Sequence, residues 1–188
     1  MKIAAIVLGV LLLFGLIIGG KVLGTRNELV VQREAVTAAW SQVDVVLQRR
    51  ADLIPNLGNT VKGYAKHEEG VFTAIANARA QMAGARTPQD KIQANSQLEG
   101  ALSRLLVVVE NYPLLRANEQ FNRLMDELSG TENRINVERR KYNDVVMRYN
   151  ADLQLFPKNI AAGLFGFQRE DAYFKADAGA RTAPSVQF

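Results

Sequence analysis

The most regular alternation of apolar and polar positions runs from Asn118 to Phe156, NEQFNRLMDELSGTENRINVERRKYNDVVMRYNADLQLF. Phe121, Leu124, Leu128, Thr131, Ile135, Glu138, Tyr142, Val145 and Tyr149 are spaced by alternating steps of three and four. Such steps place side chains on one stripe of a helix. The segment holds no proline, so the spacing predicts one long helix, and its apolar stripe requires partner helices.

The partners lie upstream. Leu29, Val36, Trp40, Val43 and Leu47 share a face of a predicted helix running to about Asp52, with no breaker after Gly24. Pro55 fits a first helical turn and disfavours helical geometry at Ile54, which predicts a turn near 51–55. A second helix then covers 55–82 on the stripe Leu57, Val61, Tyr64, Val71, Ile75, Ala78 and Met82. The same phase carries across Pro55, so a single kinked helix is the alternative. Gly84 and the run Thr87-Pro88-Gln89-Asp90 read as a helix stop and start around a tight loop at 84–87. The third helix, Pro88 to Asn111, carries Leu98, Leu102, Leu105, Val109 and Tyr112 in phase. Its stretch from Leu105 to Val109 is apolar nearly all round, which predicts the deepest burial of any helix. A short turn from Pro113 to Ala117 precedes the long helix, and Pro157 ends it. No segment alternates with period two, so no strand is expected.

Two segments lie outside this amphipathic set. Ile3–Gly20, IAAIVLGVLLLFGLIIGG, carries no charge. As a helix it spans about 27 Å, and Val22 and Leu23 complete a ~30 Å hydrocarbon core if Lys21 snorkels. A cleaved signal peptide is the competing reading, but its apolar region runs to only about 7–15 residues and ends at a small-residue site. Gly19-Gly20 before Lys21 is a poor site, so a retained anchor is expected. Gly15 with Gly19, and Gly20 with Gly24, have the spacing of close helix contacts in membranes, although glycine is common in such spans. The second segment, Phe156–Phe167, FPKNIAAGLFGF, is apolar but too short to span a bilayer. Phe156, Ile160, Leu164, Phe165 and Phe167 are its interface candidates.

The predicted fold class is therefore all-α: an N-terminal transmembrane helix followed by an antiparallel up-and-down four-helix bundle with coiled-coil-like stripes. The expected segments are an anchor at 1–25, the bundle at 26–156, an apolar segment at 157–176 packing on bundle, membrane or neighbour, and a flexible tail at 177–188.

Composition changes little in this picture. The 188 residues are 48% hydrophobic and 22% charged, which is globular rather than disordered. No cysteine is present, which removes disulfides and thiolate metal sites. A net charge of +4 without a basic stripe of interleaved aromatics points away from nucleic acid. Charges flanking the anchor are nearly balanced and select no orientation. The short basic runs Arg49-Arg50 and Arg139-Arg140-Lys141 are solvated faces or contacts to anionic lipid.

Candidate chemistry is sparse. His67 is the sole histidine and sits in a charged run, Lys66-His67-Glu68-Glu69, so it reads as surface rather than as catalyst. Asp44, Arg50, Glu138 and Asn143 fall at or beside the stripes. Glu138 is in register on the long helix, and a carboxylate there needs a partner such as Arg50 or Arg104. The favoured reading is a polar network that fixes helix register. The competing carboxylate metal site lacks the Glu-x-x-His pairs that bundle metal centres use. No catalytic, cofactor or metal residue is assigned.

The same stretches carry a family resemblance. Ala39–Glu68, AWSQVDVVLQRRADLIPNLGNTVKGYAKHE, resembles the LemA family, as do ENYPLLRANEQF at 110–121, LSGTENRINVERRKYNDVVMRYN at 128–150 and FPKNIAAGLFGF. The resemblance covers roughly 27–175 and implies a single-pass bacterial membrane protein with an antiparallel four-helix domain. It implies no agreed biochemical activity and carries over no active-site residue. Some relatives are associated with magnetosome membranes, and others are linked genetically to membrane proteases. The resulting expectation is a self-associating, non-enzymatic scaffold or membrane-organising protein, single-pass in the bacterial cytoplasmic (inner) membrane. Its expected partners are the lipid bilayer and further copies of itself. Alternatives are an adaptor presenting substrates to a membrane protease, and an uncharacterised hydrolase.

Overall fold

The computed structural model describes residues 2–64 and 68–175. His67 and the expected tail at 177–188 lie outside the described residues. All regular structure within them is helical, in the order α1 Lys2–Lys62, α2 Glu69–Gly84, α3 Pro88–Val109, α4 Pro113–Arg116, α5 Glu119–Asp152 and α6 Lys158–Phe165. The all-helical expectation holds, and so do most of the predicted stops. Thr87 caps α3 with its hydroxyl on the Asp90 N–H while the Asp90 carboxylate accepts from the Thr87 N–H, and Pro88 opens the first turn.

The first correction concerns Pro55. No turn forms at 51–55, because α1 continues through the proline to Lys62. Proline in a helix interior loses one hydrogen bond and crowds the carbonyl four residues back, at a cost of about 3 kcal/mol. Leu47, Ile54 and Val61, three positions seven apart, are all buried on the same side, together with Leu53 and Leu57. That unbroken apolar stripe offsets the local cost and keeps the helix whole. The predicted second helix is consequently divided. Its first turns belong to α1, and the remainder becomes α2, of 16 residues.

The second correction concerns α3. Leu98, Leu102, Leu105 and Val109 are buried as predicted, but Leu106 and Val107 face outward. The apolar run there is wider than the cover provided by this chain. The third concerns α5, which ends at Asp152 rather than reaching Phe156. Its buried stripe is Phe121, Leu124, Leu128, Thr131, Ile135, Tyr142, Val146 and Tyr149, with Val146 in place of Val145. A strict three–four alternation lags a 3.6-residue helix by about 20° per heptad, so three heptads on the stripe has moved one residue forward.

By its contacts the described chain forms two units. One contains residues 2–39 and 142–171, the other 40–141 and 172–175, and α1 and α5 contribute to both. In the second unit, Asp44 pairs with Lys91 and Arg50 with Asn95, so α1 and α3 run in the same direction. Arg49 pairs with Glu127, and just past the end of α1 Tyr64 accepts from Asn118, so α5 runs the opposite way. The α2–α3 pair is joined by the tight loop at 85–87 and packs along its length. Trp40 stacks against Phe174, with ring centroids 6.2 Å apart and planes inclined by 28°. In the first unit, Gln32 meets Asp152 and Glu28 meets Lys158, again an antiparallel pairing of α1 with the end of α5 and the start of α6.

Candidate functional site

Two polar clusters stand out, one in each unit. In the second unit, Arg50 projects from α1 into the core and is almost fully buried. Its NH1 donates to Glu132 Oε2 on α5 and, at 3.3 Å, to Asn95 Oδ1 on α3. Glu132 also accepts from Asn136 Nδ2 at 3.2 Å. A guanidinium stays charged at any ordinary pH, so its burial requires this carboxylate. One guanidinium thereby bridges α1, α3 and α5. Asp44, half-buried, forms an ion pair with Lys91 at the start of α3.

Of the sequence-derived register residues, Arg50 and Asp44 are therefore placed in such contacts. Glu138 is not Arg50's partner. It is half-buried and pairs with Lys141 one turn along its own helix, at 2.8 Å. Between Ile135 and Tyr142 the buried stripe has no member, which leaves Glu138 at its edge. Glu132 was missed because it stands one position beyond Thr131, off the stripe. A stripe-flanking carboxylate with a buried arginine in prospect is the signal that would have found it. Asn143 is half-buried on α5 in the first unit.

The second cluster fastens α6. Asp152 Oδ2, at the end of α5, accepts from Lys158 Nζ at 2.6 Å and from Gln32 Nε2 at 2.6 Å. Lys158 also reaches Glu28 at 3.3 Å. The Lys158 ammonium, then the Gln32 amide, holds the Asp152 carboxyl below its ordinary value, and Asp152 in turn raises Lys158. Beyond α6, Gly166 closes the helix in the left-handed conformation with φ 71°. The chain then returns past α5. Tyr149 donates its hydroxyl to the Gln168 carbonyl, while Asn150 donates to the Glu170 carbonyl at 2.7 Å and accepts from the Glu170 N–H at 2.9 Å. Burial raises the Tyr149 hydroxyl, against the lowering influence of Arg33.

Neither cluster assembles a nucleophile with a base. Among the described residues no group of three or more His, Asp or Glu side chains is placed to hold a metal ion. A groove of about 660 Å³ lies between the end of α1 and α2, floored by Ile54, Leu57, Phe72 and Ile75 and edged by Lys62 and Arg79. Near it, Tyr112 donates to Glu68 at 3.0 Å, and this bond to the carboxylate pushes the Tyr112 hydroxyl up. Gly15, Gly19, Gly20 and Gly24 are exposed along α1, and a methyl group added at any of them would meet nothing. Phe156, Ile160, Leu164 and Phe165 are exposed, and Phe167 is half-buried.

The fold and its clusters define an all-helical protein whose first helix includes an apolar stretch long enough to cross a membrane. The chain belongs to the LemA family, whose family model matches residues 39–188. It is 26% identical to magnetosome protein MamQ 2 of Paramagnetospirillum magneticum, over 81% of this chain and 66% of the relative. It is 25% identical to magnetosome protein MamQ of Magnetospirillum gryphiswaldense over the same shares. Identity to protein LemA of Metamycoplasma hominis is 24%, over 74% of this chain and 64% of the relative. The chain thus spans just under two thirds of the length of these curated relatives.

Proposed function

We propose that this chain is a single-pass protein of the bacterial cytoplasmic membrane that displays an up-and-down four-helix bundle and acts as a self-associating, non-enzymatic scaffold. The observation that carries the reading is the set of uncovered apolar side chains on either side of the α3–α4 turn. Val107 is 66% exposed and Leu114 is 77% exposed, with Leu106 beside them. The polar side chains that α1, α3 and α5 bring together are meanwhile engaged with one another. Polar groups thus set internal register, while apolar side chains are offered outward, which suits holding a neighbour rather than transforming a substrate. A membrane anchor strengthens the case, since copies held in one plane meet in a common orientation and at high effective concentration. The MamQ relatives are named for the magnetosome, a cell structure, and not for a reaction.

The test is the particle mass of the full-length protein after gentle detergent extraction, by light scattering. A homo-oligomer is expected, and Val107→Asp with Leu114→Asp should reduce it to a monomer with unchanged helicity. A native monomer overturns the scaffold reading. A stoichiometric membrane protease in the particle replaces it with the adaptor reading.

A further inference from the structure

The first unit leaves a second apolar surface open, and its position relative to the apolar stretch of α1 is fixed by contacts. Phe156 lies in the turn before α6, and Ile160 and Leu164, four residues apart, share one face of the helix itself. The three are 80%, 56% and 69% exposed. The opposite side of α6 carries Ala161 and Ala162, both buried within the unit.

Two contacts set the level of α6 along α1. The Arg26 guanidinium lies over the Phe165 ring at 5.5 Å, and Lys158 is 3.3 Å from Glu28. The uncharged run of α1, completed by Val22 and Leu23, ends just before these residues. At about 1.5 Å per residue, Arg26 stands about 5 Å and Glu28 about 7 Å beyond Leu23. An amphipathic helix on a bilayer buries its apolar face about 5–10 Å into the boundary between headgroups and acyl chains, so α6 is held at the level where such helices lie.

We infer that α6 is an interfacial helix, seated in the headgroup region of the same bilayer that α1 crosses, with Phe156, Ile160 and Leu164 inserted towards the acyl chains. Its occupant is lipid, because the exposed face continues outward from the uncharged run of α1. The charged residues at this level suit that boundary: Arg26 stacks on Phe165 and remains available to phosphate, and Lys158 is neutralised by Asp152 and Glu28. Unlike scaffolding, this seating requires no second copy of the chain.

The chain has no cysteine, so a single Leu164→Cys substitution accepts an environment-sensitive fluorophore without further change. The labelled full-length protein is placed in phosphatidylcholine vesicles with and without lipids carrying a nitroxide high on the acyl chain. Emission at 164 should shift to the blue and lose about half its intensity in the nitroxide vesicles, as expected of a side chain at interfacial depth. The same label at Val45, an exposed position in the other unit, should respond only to aqueous iodide. Ile160→Cys provides an independent reading if Leu164→Cys perturbs the fold. Quenching at both 160 and 164 by iodide alone overturns the inference. So does shielding from both quenchers, which would place a protein neighbour on this face.

Discussion

Neutralising the buried ion pair of the second unit gives a quantitative test of which helices are locked together. Arg50 and Glu132 are not equally buried, since their side chains are 5% and 26% exposed. Glu132→Gln leaves a permanent positive charge in the core with only Asn95 and a neutral amide to satisfy it. Breaking a buried pair from one side costs about 3–5 kcal/mol, and this change should fall near the low end, at about 3 kcal/mol, because an amide oxygen still accepts. Arg50→Met preserves the aliphatic stem and leaves behind a carboxylate that can turn towards water, so about 1–2 kcal/mol is expected. The double change Arg50→Met with Glu132→Leu removes both charges and should cost less than Glu132→Gln alone. Urea unfolding of the full chain in an uncharged detergent, followed through Trp40 in the same unit, provides the free energies. If Arg50→Met proves the more damaging single change, or if the double variant proves less stable than Glu132→Gln, the buried pair does not organise the core as described.

Three further outcomes follow from local features. Pro55→Ala should stabilise by about 1–2 kcal/mol, since a restored hydrogen bond and relief of crowding exceed the entropy proline removes from the unfolded chain; a loss of stability would mean that α1 does not run through this position. Asp152 binds its proton more weakly when folded, so its contribution is complete above its ordinary 3.8 and disappears as pH falls through the lower folded value. Lys158 binds its proton more tightly when folded, so its share of the same contact is complete below its ordinary 10.5 and is lost as pH rises through the raised value. Hydrogen exchange of α6 should therefore be slowest relative to α3 between these limits and speed up towards acid, and Asp152→Asn should abolish the acid limb; an unchanged acid limb would contradict the role assigned to Asp152. Gly166→Ala should cost about 1 kcal/mol through φ alone, because the added methyl group meets no neighbour, whereas Gly166→Asn, which tolerates this conformation, should cost less in thermal unfolding.

The sequence made much of this architecture readable because apolar spacing is a direct imprint of burial. The stripes of α3 and α5, the helix start at Thr87-Pro88 and the uncharged run of α1 all follow from positions that each element must bury, expose or cap. Pro55 misled because a local steric rule was weighed above a stripe already visible on both sides of it. The exchange of Val145 for Val146 reflects the accumulated lag between a heptad count and the true helical repeat. Arg50 was legible as a polar residue in an apolar register, but its partner was not. A long side chain reaches across a flank, and the identity of Glu132 depends on how α5 is rotated against α1, which spacing along one helix does not encode. The seat of α6 beside Arg26 and Glu28 was likewise hidden, because it depends on where the chain folds back and not on any periodicity within the segment.

The clamp at Tyr149 and Asn150 has a consequence for tolerance to change. Three of their bonds grip the returning segment through main-chain atoms, the carbonyls of Gln168 and Glu170 and the N–H of Glu170. In these three bonds the grip is indifferent to which side chains the held residues carry. A saturation library should therefore show an asymmetry across one contact, with Asn150 nearly invariant and 168 and 170 permissive. Proline at 170, which alone lacks the N–H, should stand out as the forbidden letter.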